Sequence, residues 1–410
     1  MKKSLAILLC LVLMVPFAAH AEEPVELTFW IRTGDAFVEA YVADYMAEHP
    51  NVKINVMQVG SGYGDLRTKF NLGITSRELP DLSIAGFSGM GSLYDAGEII
   101  DVSKADKSGA LSDIVETFST RCLYKDAVIA VPYQVSAPVM YYNRTLLNKA
   151  GLEVPQTFTQ LMETGEKLIE KDANGVTTVY GFNTASDVSW YLRPMLYNFG
   201  GSLFNAQGDV ELNTQEARDM FAWWAEMVKR GILPANQHTT AQDDFCNGAV
   251  AFYFTSCASY AELQKAVGDK FDLGVAYFPG EKIQEVNQGG NGIVVFTHDE
   301  KKQEVALDLI SYLLQPERMQ TIVDKGFLPV TNAMLNGDYV KNKIAADENF
   351  KAIYDQVTRV AIFLQHPAAT KASTELGNIA SEIESNPDSD IGALLDESQA
   401  VVNEYMMSYQ

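Results

Sequence analysis

Few side chains in this sequence have the types and spacing that would make or break bonds. His49, His238, His298 and His366 are scattered, and no His-x-x-x-His pair is available to hold a catalytic metal. Gly86-Phe87-Ser88-Gly89-Met90 falls one residue short of a nucleophile elbow, because Met90 stands where the second glycine is needed. No glycine-rich loop ending in Lys and Ser/Thr is present to cradle a phosphate. Asp172-Ala173-Asn174-Gly175 has the opening of a calcium loop without its remaining ligands and reads as a turn. Asp243-Asp244 offers two carboxylates, yet neighbours in sequence seldom converge on one substrate, and the pair suits a helix start.

Recognition chemistry is better represented. Tyr63 lies within Gly60-Ser61-Gly62-Tyr63-Gly64, and Trp190-Tyr191 follow Ser186-Asp187, so aromatic faces sit beside turn residues and polar groups. Such faces suit a solute with both C–H surfaces and hydroxyls, as sugars have. Trp223 and Trp224 are adjacent on a helical stretch and point in different directions, so at least one belongs to a core. Trp30 closes an apolar run and is expected to be buried.

The elements that must position these residues alternate between strand and helix. Residues 25–30 and 52–59 read as strands around a helix over 36–48, followed by a short helix at 65–73 and a strand at 81–84. Extended segments at 127–132 and 139–142, helices at 145–150, 159–171, 215–230 and 260–267, and strands at 271–277 and 292–296 follow. Helices at 304–314 and 317–325 and a helical C-terminal eighty residues complete the chain. The alternation predicts an α/β fold with mainly parallel sheets flanked by helices.

At 410 residues, with 47% hydrophobic and 20% charged residues, the chain is long for one core, and two lobes are expected. Its formal charge of −22 argues against nucleic acid or an anionic membrane surface as partner. Lys2 and Lys3, the apolar run from Leu5 to Val15 and Ala19-His20-Ala21 form a signal-peptide pattern over residues 1–21, cleaved after Ala21. Export follows as an expectation, periplasmic or extracellular. Leu8 and Leu9 before Cys10 speak against a lipoprotein. Cys122, Cys246 and Cys257 remain, an odd number that allows at most one internal disulfide, with Cys246–Cys257 the shortest loop.

Several segments together resemble the extracellular solute-binding proteins of ABC importers, in the branch of sugar and glycerol-phosphate receptors. They are the opening LTFW strand, Glu48-His49-Pro50, Leu79-Pro80-Asp81-Leu82, Val131-Pro132-Tyr133, Met140-Tyr141-Tyr142-Asn143 and Leu147–Leu152. Phe245–Ala251, GGNGIVVF from Gly289 and Gly326-Phe327-Leu328-Pro329-Val330 complete the set. The resemblance implies a two-lobed periplasmic binding protein fold: residues 22–135 and 272–328 in one lobe, 136–271 and 329–410 in the other. The chain would cross near Ser136, Phe271 and Pro329. It further implies a monomer without catalysis, cofactor or metal, which captures a small solute between the lobes and delivers it to a membrane permease.

Carried over by position, the cleft residues would be Tyr63, Phe87, Ser136, Ser256, Ser259, Gly289, Gly290 and Phe327, joined by Trp190 from the aromatic reading. The sequence departs from the glycerol-phosphate receptors at Thr374-Glu375-Leu376-Gly377, which lacks their arginine, and at Phe87 and Phe327. A sugar or oligosaccharide is therefore expected. An anionic ligand such as a glycerol phosphate or phosphodiester, served by Arg193 or Arg32, is the alternative, and a secreted carbohydrate-active enzyme the remoter one.

Overall fold

The computed structural model describes residues 24–107, 109, 111–361, 366 and 368–409. The signal-peptide pattern and Cys10 lie outside the described residues.

Strand β1 (Val25–Ile31) leads through helix α1 (Phe37–Glu48) to β2 (Val52–Gln58), and helix α2 (Tyr63–Ser76) leads to β3 (Leu82–Gly86). β1 pairs in parallel with both β2 and β3, in register Val25↔Val52 and Phe29↔Leu82. The next long strand, β4 (Val131–Ser136), ends two residues before β5 (Pro138–Asn143), and all twelve residues of the pair are buried. Burial on both faces explains why the stretch shows no regular apolar–polar alternation.

The two strands nevertheless belong to different sheets. The first sheet has the order β2-β1-β3-β10-β4, with β10 spanning Gly289–Val295. The second has the order β9-β5-β8-β7-β6, built from β6 (Glu170–Lys171), β7 (Thr177–Thr184), β8 (Val250–Ser256) and β9 (Leu273–Tyr277). The single residue Ala137 thus carries the chain from one sheet to the other.

Both sheets are mixed rather than mainly parallel. β10 runs antiparallel to β3 and β4, and β5 runs antiparallel to β8 and β9; β7 and β8 are parallel. The strands that enter from the opposite sheet arrive in the reverse direction, whereas helical crossovers within one sheet keep their strands parallel.

The return to the first sheet also comes later than Phe271. β9 pairs with β5, Val275 opposite Tyr141, so it belongs to the second sheet, and the crossing runs between Tyr277 and Gly289. The last crossing lies beyond Pro329. Val115 N–H donates to the Val330 carbonyl at 2.9 Å and Asn332 N–H to the Asp113 carbonyl at 2.8 Å, which holds this segment on the first lobe.

Helix α3 (Val188–Asn198) and α4 (Gln215–Lys229) pack with α6 (Ala369–Ser385) and α7 (Ile391–Tyr409) on the second lobe, whereas α5 (Glu300–Leu313) covers β1 on the first. α4 starts with the Thr214 hydroxyl accepting from Ala217 N–H at 3.2 Å and ends at Lys229, a cap and a cation placed as the helix dipole favours. Cys122, Cys246 and Cys257 are all buried free thiols, so the short-loop disulfide does not form. Cys257 Sγ instead accepts from Ala137 N–H at the first crossing.

Candidate functional site

A cleft of 480 Å³ opens where the lobes meet. From the first lobe it is lined by Arg67 on α2, by Ser88, Gly89 and Ser92 just after β3, and by Arg121 and Tyr124. The facing wall begins with Asp187, Ser189, Trp190 and Arg193 at the start of α3. Ser189 and Arg193 are four residues apart and Trp190 and Arg193 three, so one helix face presents all of them. Thr370, Ser373 and Thr374 come from the first turns of α6, which packs so closely that a Cβ on Gly377 would lie 3.3 Å from Ser189 Cβ. Asn287 and Gln288 close the floor on the crossing into β10. A larger hollow of 670 Å³, near Tyr94, Lys104 and His298, is lined by the first lobe alone and would be untouched by lobe closure.

Trp190 is partly buried against the backbone of Gly289, where an added Cβ would sit 2.5 Å from Trp190 Cζ2 and 3.0 Å from Ser136 Oγ. Gly290 is tighter still: its φ is +97° and a Cβ would fall 1.8 Å from the Gln134 carbonyl oxygen. The glycine pair therefore lets a second-lobe tryptophan rest on a first-sheet strand. Beside it, both amide atoms of Gln288 and the Asn287 side-chain oxygen are buried with no hydrogen-bond partner among the described residues. A buried amide without a partner costs roughly 1–3 kcal/mol, so this floor is built to receive hydroxyls or other polar groups.

Tyr63 lines a smaller recess of 120 Å³ that shares Arg67, Ser88, Gly89 and Ser92 with the cleft. Its hydroxyl accepts from Asn291 Nδ2 at 2.9 Å, and the Arg32 guanidinium lies 4.2 Å from its ring centre. Arg32 itself grips buried Asp35 with two hydrogen bonds of 2.7 and 2.9 Å, and Gln134 bridges Asp35 to Asn291. Arg32 is thereby an internal ion pair and leaves the anion-binding role to others.

Of the residues expected at the site, the structure brings Trp190 and Arg193 into the cleft and Tyr63 into the adjoining recess, with Gly289 beneath Trp190. Phe87 is buried in the core, Ser136 is buried at the first crossing, and Phe327 is partly buried at the turn before Leu328; none lines the cleft. Ser256 spends its hydroxyl on Ala258 N–H at 3.2 Å, and Ser259 begins the helix at Tyr260 without lining the cleft. Trp223 and Trp224 are both core, donating to the Phe158 carbonyl at 2.8 Å and Glu384 Oε1 at 2.9 Å. Asp172 caps a turn through Asn174 and Val176 N–H, and among the described residues no cluster of His, Cys, Asp and Glu is arranged to hold a metal.

Sequence reasoning missed Arg121, Asn287 and Gln288. The last two directly precede the Gly289-Gly290 pair and were within reach; Arg121 gives no local signal, because only the fold carries it to the cleft. Burial pushes its guanidinium down to about 10, and the positive charge of Arg193 adds in the same direction.

A family model described as bacterial extracellular solute-binding protein matches residues 40–352. An sn-glycerol-3-phosphate-binding periplasmic protein of Rhizobium meliloti is 25% identical over 358 residues, 80% of this chain and 81% of that protein. The same fold is found in a Mycobacterium tuberculosis protein solved with glycerophosphocholine, at TM-score 0.81 and 18% identity over 94% of this chain and 99% of that one. An ABC substrate-binding protein of Listeria monocytogenes in complex with cycloalternan superposes at TM-score 0.78 and 21% identity, covering 93% and 99%.

Proposed function

We infer, since the chain belongs to the bacterial extracellular solute-binding protein family, that it is the receptor of an ABC import system, capturing a small hydrophilic solute for a membrane permease. The observation that carries this reading is the cleft itself: its walls come from two separate sheets joined by short crossings, and its floor offers unpartnered amides. We assign residues 24–136 and 289–332 to one lobe and 138–277 and 338–409 to the other.

Capture then needs no bond chemistry. Solute settles on one wall, the lobes rotate about the crossings, and the second wall completes its hydrogen bonds. The solute shifts the open–closed balance only by its differential affinity for the closed form. Trp190 supplies a flat face and Gln288 and Asn287 supply hydrogen bonds, a combination suited to a carbohydrate or polyol body. The Listeria protein was solved with cycloalternan and the Mycobacterium protein with glycerophosphocholine. Small-angle scattering and tryptophan fluorescence across a solute panel test the reading. A bound solute should reduce the radius of gyration and change Trp190 emission; a protein that no sugar, polyol or phosphorylated polyol closes would refute it.

A further inference from the structure

Behind the cleft wall, the second lobe buries an acid against a histidine. Glu384 lies in the last turn of α6 with its side chain 1% exposed, and His238 faces it with a side chain 11% exposed. His238 Nε2 is 3.0 and 3.1 Å from the two carboxylate oxygens. Trp224 Nε1 from α4 donates to Oε1 at 2.9 Å, and Asn236 N–H donates to Oε2 at 2.6 Å. A carboxylate out of water at the negative end of a helix dipole is costly unless a cation joins it. Trp224 and Asn236 are neutral donors, so the balancing charge falls to His238.

The hydrogen bonds on the other side of the ring require the same charge. Nδ1 lies 2.7 Å from Asn183 Oδ1 and 3.4 Å from Thr184 Oγ1. Two backbone groups fix the Asn183 amide: Nδ2 donates to the Gln237 carbonyl at 3.2 Å, and Oδ1 accepts from Thr184 N–H at 2.8 Å. Turning it over would set donor against donor and acceptor against acceptor. The Thr184 hydroxyl gives its hydrogen to the Ala185 carbonyl at 3.1 Å and offers the ring only a lone pair. Nδ1 thus faces acceptors and Nε2 faces a carboxylate, and a ring that must donate from both nitrogens is an imidazolium. The other charged group on the hollow that this pair lines is Asp187, which accepts from the Ser189 hydroxyl at 2.7 Å.

This pair ties together the elements that build one wall of the cleft. Asn183 and Thr184 end β7, and the chain then enters α3 through Asp187, with Ser189 and Trp190 following in the cleft. Glu384 shares α6 with Thr370, Ser373 and Thr374, and Gly377 between them packs on Ser189. The hollow of 320 Å³ beside His238 and Glu384 reaches Asp187, Ser189 and Thr374, which also line the cleft. We propose that His238 is an imidazolium held between Asn183 and Glu384, and that this ion pair positions α3 and α6 as the second-lobe wall. Capture then depends on a proton that no solute touches. The proposal rests on the receptor reading and adds a positioning pair to it. Loss of the proton turns a ring lone pair toward the Glu384 carboxylate, which α6 relieves by drawing away from β7. Because the tie exists only while the ring is charged, its contribution is present in mild acid and is lost as pH rises.

Long-range proton–nitrogen NMR spectra of the ligand-free protein report the ring directly, with single histidine substitutions assigning the signals. At pH 7 both His238 nitrogens should carry hydrogen, and Glu384→Gln should leave hydrogen on Nδ1 alone. Hydrogen exchange reads placement: His238→Gln and Glu384→Gln should each lower protection about tenfold or more over residues 185–193 and across α6. Calorimetry with glucose, maltotriose, glycerol and glycerophosphocholine, none of which titrates between pH 6 and pH 9, reads capture. The probe that binds should weaken about fivefold or more across that range in the parent, and less than about twofold in His238→Gln. Glu384→Gln supplies the same comparison where His238→Gln folds poorly, and the parent's ring spectra need neither variant. A His238 ring with one hydrogen at pH 7, or pH profiles that coincide in parent and variant, would overturn the proposal and leave the receptor reading standing. Failure of every probe at every pH would overturn the receptor reading, and the exchange profile of the parent over the same pH range would still decide whether the proton places the wall.

Discussion

At the scale of single residues, Trp190 and the glycines beneath it carry the recognition geometry. Because Gly289 has no side chain, the indole can lie against β10; Gly289→Ala would set a methyl 2.5 Å from Trp190 Cζ2. Gly289→Ala should therefore displace the indole and weaken solute binding about tenfold, with little change in melting temperature. Trp190→Ala should weaken binding about two- to tenfold by removing about 0.5–1.5 kcal/mol of aromatic contact; unchanged affinity by calorimetry would contradict the stacking role. Gly290→Ala belongs to a different class. Its positive φ and the 1.8 Å approach to a backbone oxygen make it a folding defect, and thermal unfolding should reveal a loss of about 1–3 kcal/mol. Trp190 and Tyr63 were legible as aromatics next to turn residues, whereas the glycine pair came only through the family resemblance, since Gly200-Gly201 is an equally plain pair elsewhere. Phe87, Ser256 and Ser259 are type-compatible with a cleft, yet core burial and local capping absorb them, and no sequence pattern distinguishes a serine that caps from one that binds.

At the scale of elements, the start of α2 decides where Tyr63 and Arg67 point. Asp65 accepts from Ser61 N–H at 2.8 Å and Gly62 N–H at 3.0 Å, and these backbone hydrogen bonds, Gly62 first and then Ser61, hold its carboxyl below the usual carboxylate range. A depressed carboxyl stabilises the fold above its unfolded pKa, about 3.9, and that contribution disappears as pH falls through the lower folded value. Asp65→Ala should therefore lower the melting temperature at neutral pH by a few degrees or less, with the difference from the parent vanishing in strong acid. A gap that persisted in acid would show that the carboxylate is not the source. The first-sheet elements were legible because their apolar periods are plain. β7 was not: Gly181 interrupts it, placed where an added Cβ would meet the Gly165 backbone oxygen at 2.5 Å, so a close helix-to-strand approach hides the strand signal. α3 was hidden by Pro194 within it, although this is the helix that aims Trp190 and Arg193. Sheet membership of β9 was equally invisible, since pairing across a chain reversal leaves no mark on a five-residue apolar strand.

At the scale of the whole molecule, an acidic body surrounds a basic cleft, and the two fields act over different distances. At 10 mM salt the Debye length is about 30 Å, and an approaching anion feels the negative molecule; near 150 mM it is about 8 Å, and the distant carboxylates are screened. The arginines act at contact and within the cleft, where screening is weaker. The association rate of an anionic solute should consequently rise several-fold between 10 and 150 mM salt, while its dissociation rate changes little. Above that range the rate should level or fall as the cleft's own field is screened. A neutral sugar offered to the same protein should show no such dependence. Stopped-flow tryptophan fluorescence measures both rates. An association rate that instead falls steadily from the lowest salt would mean that the cleft field dominates at long range, with the net charge of −22 too diffusely spread to oppose it.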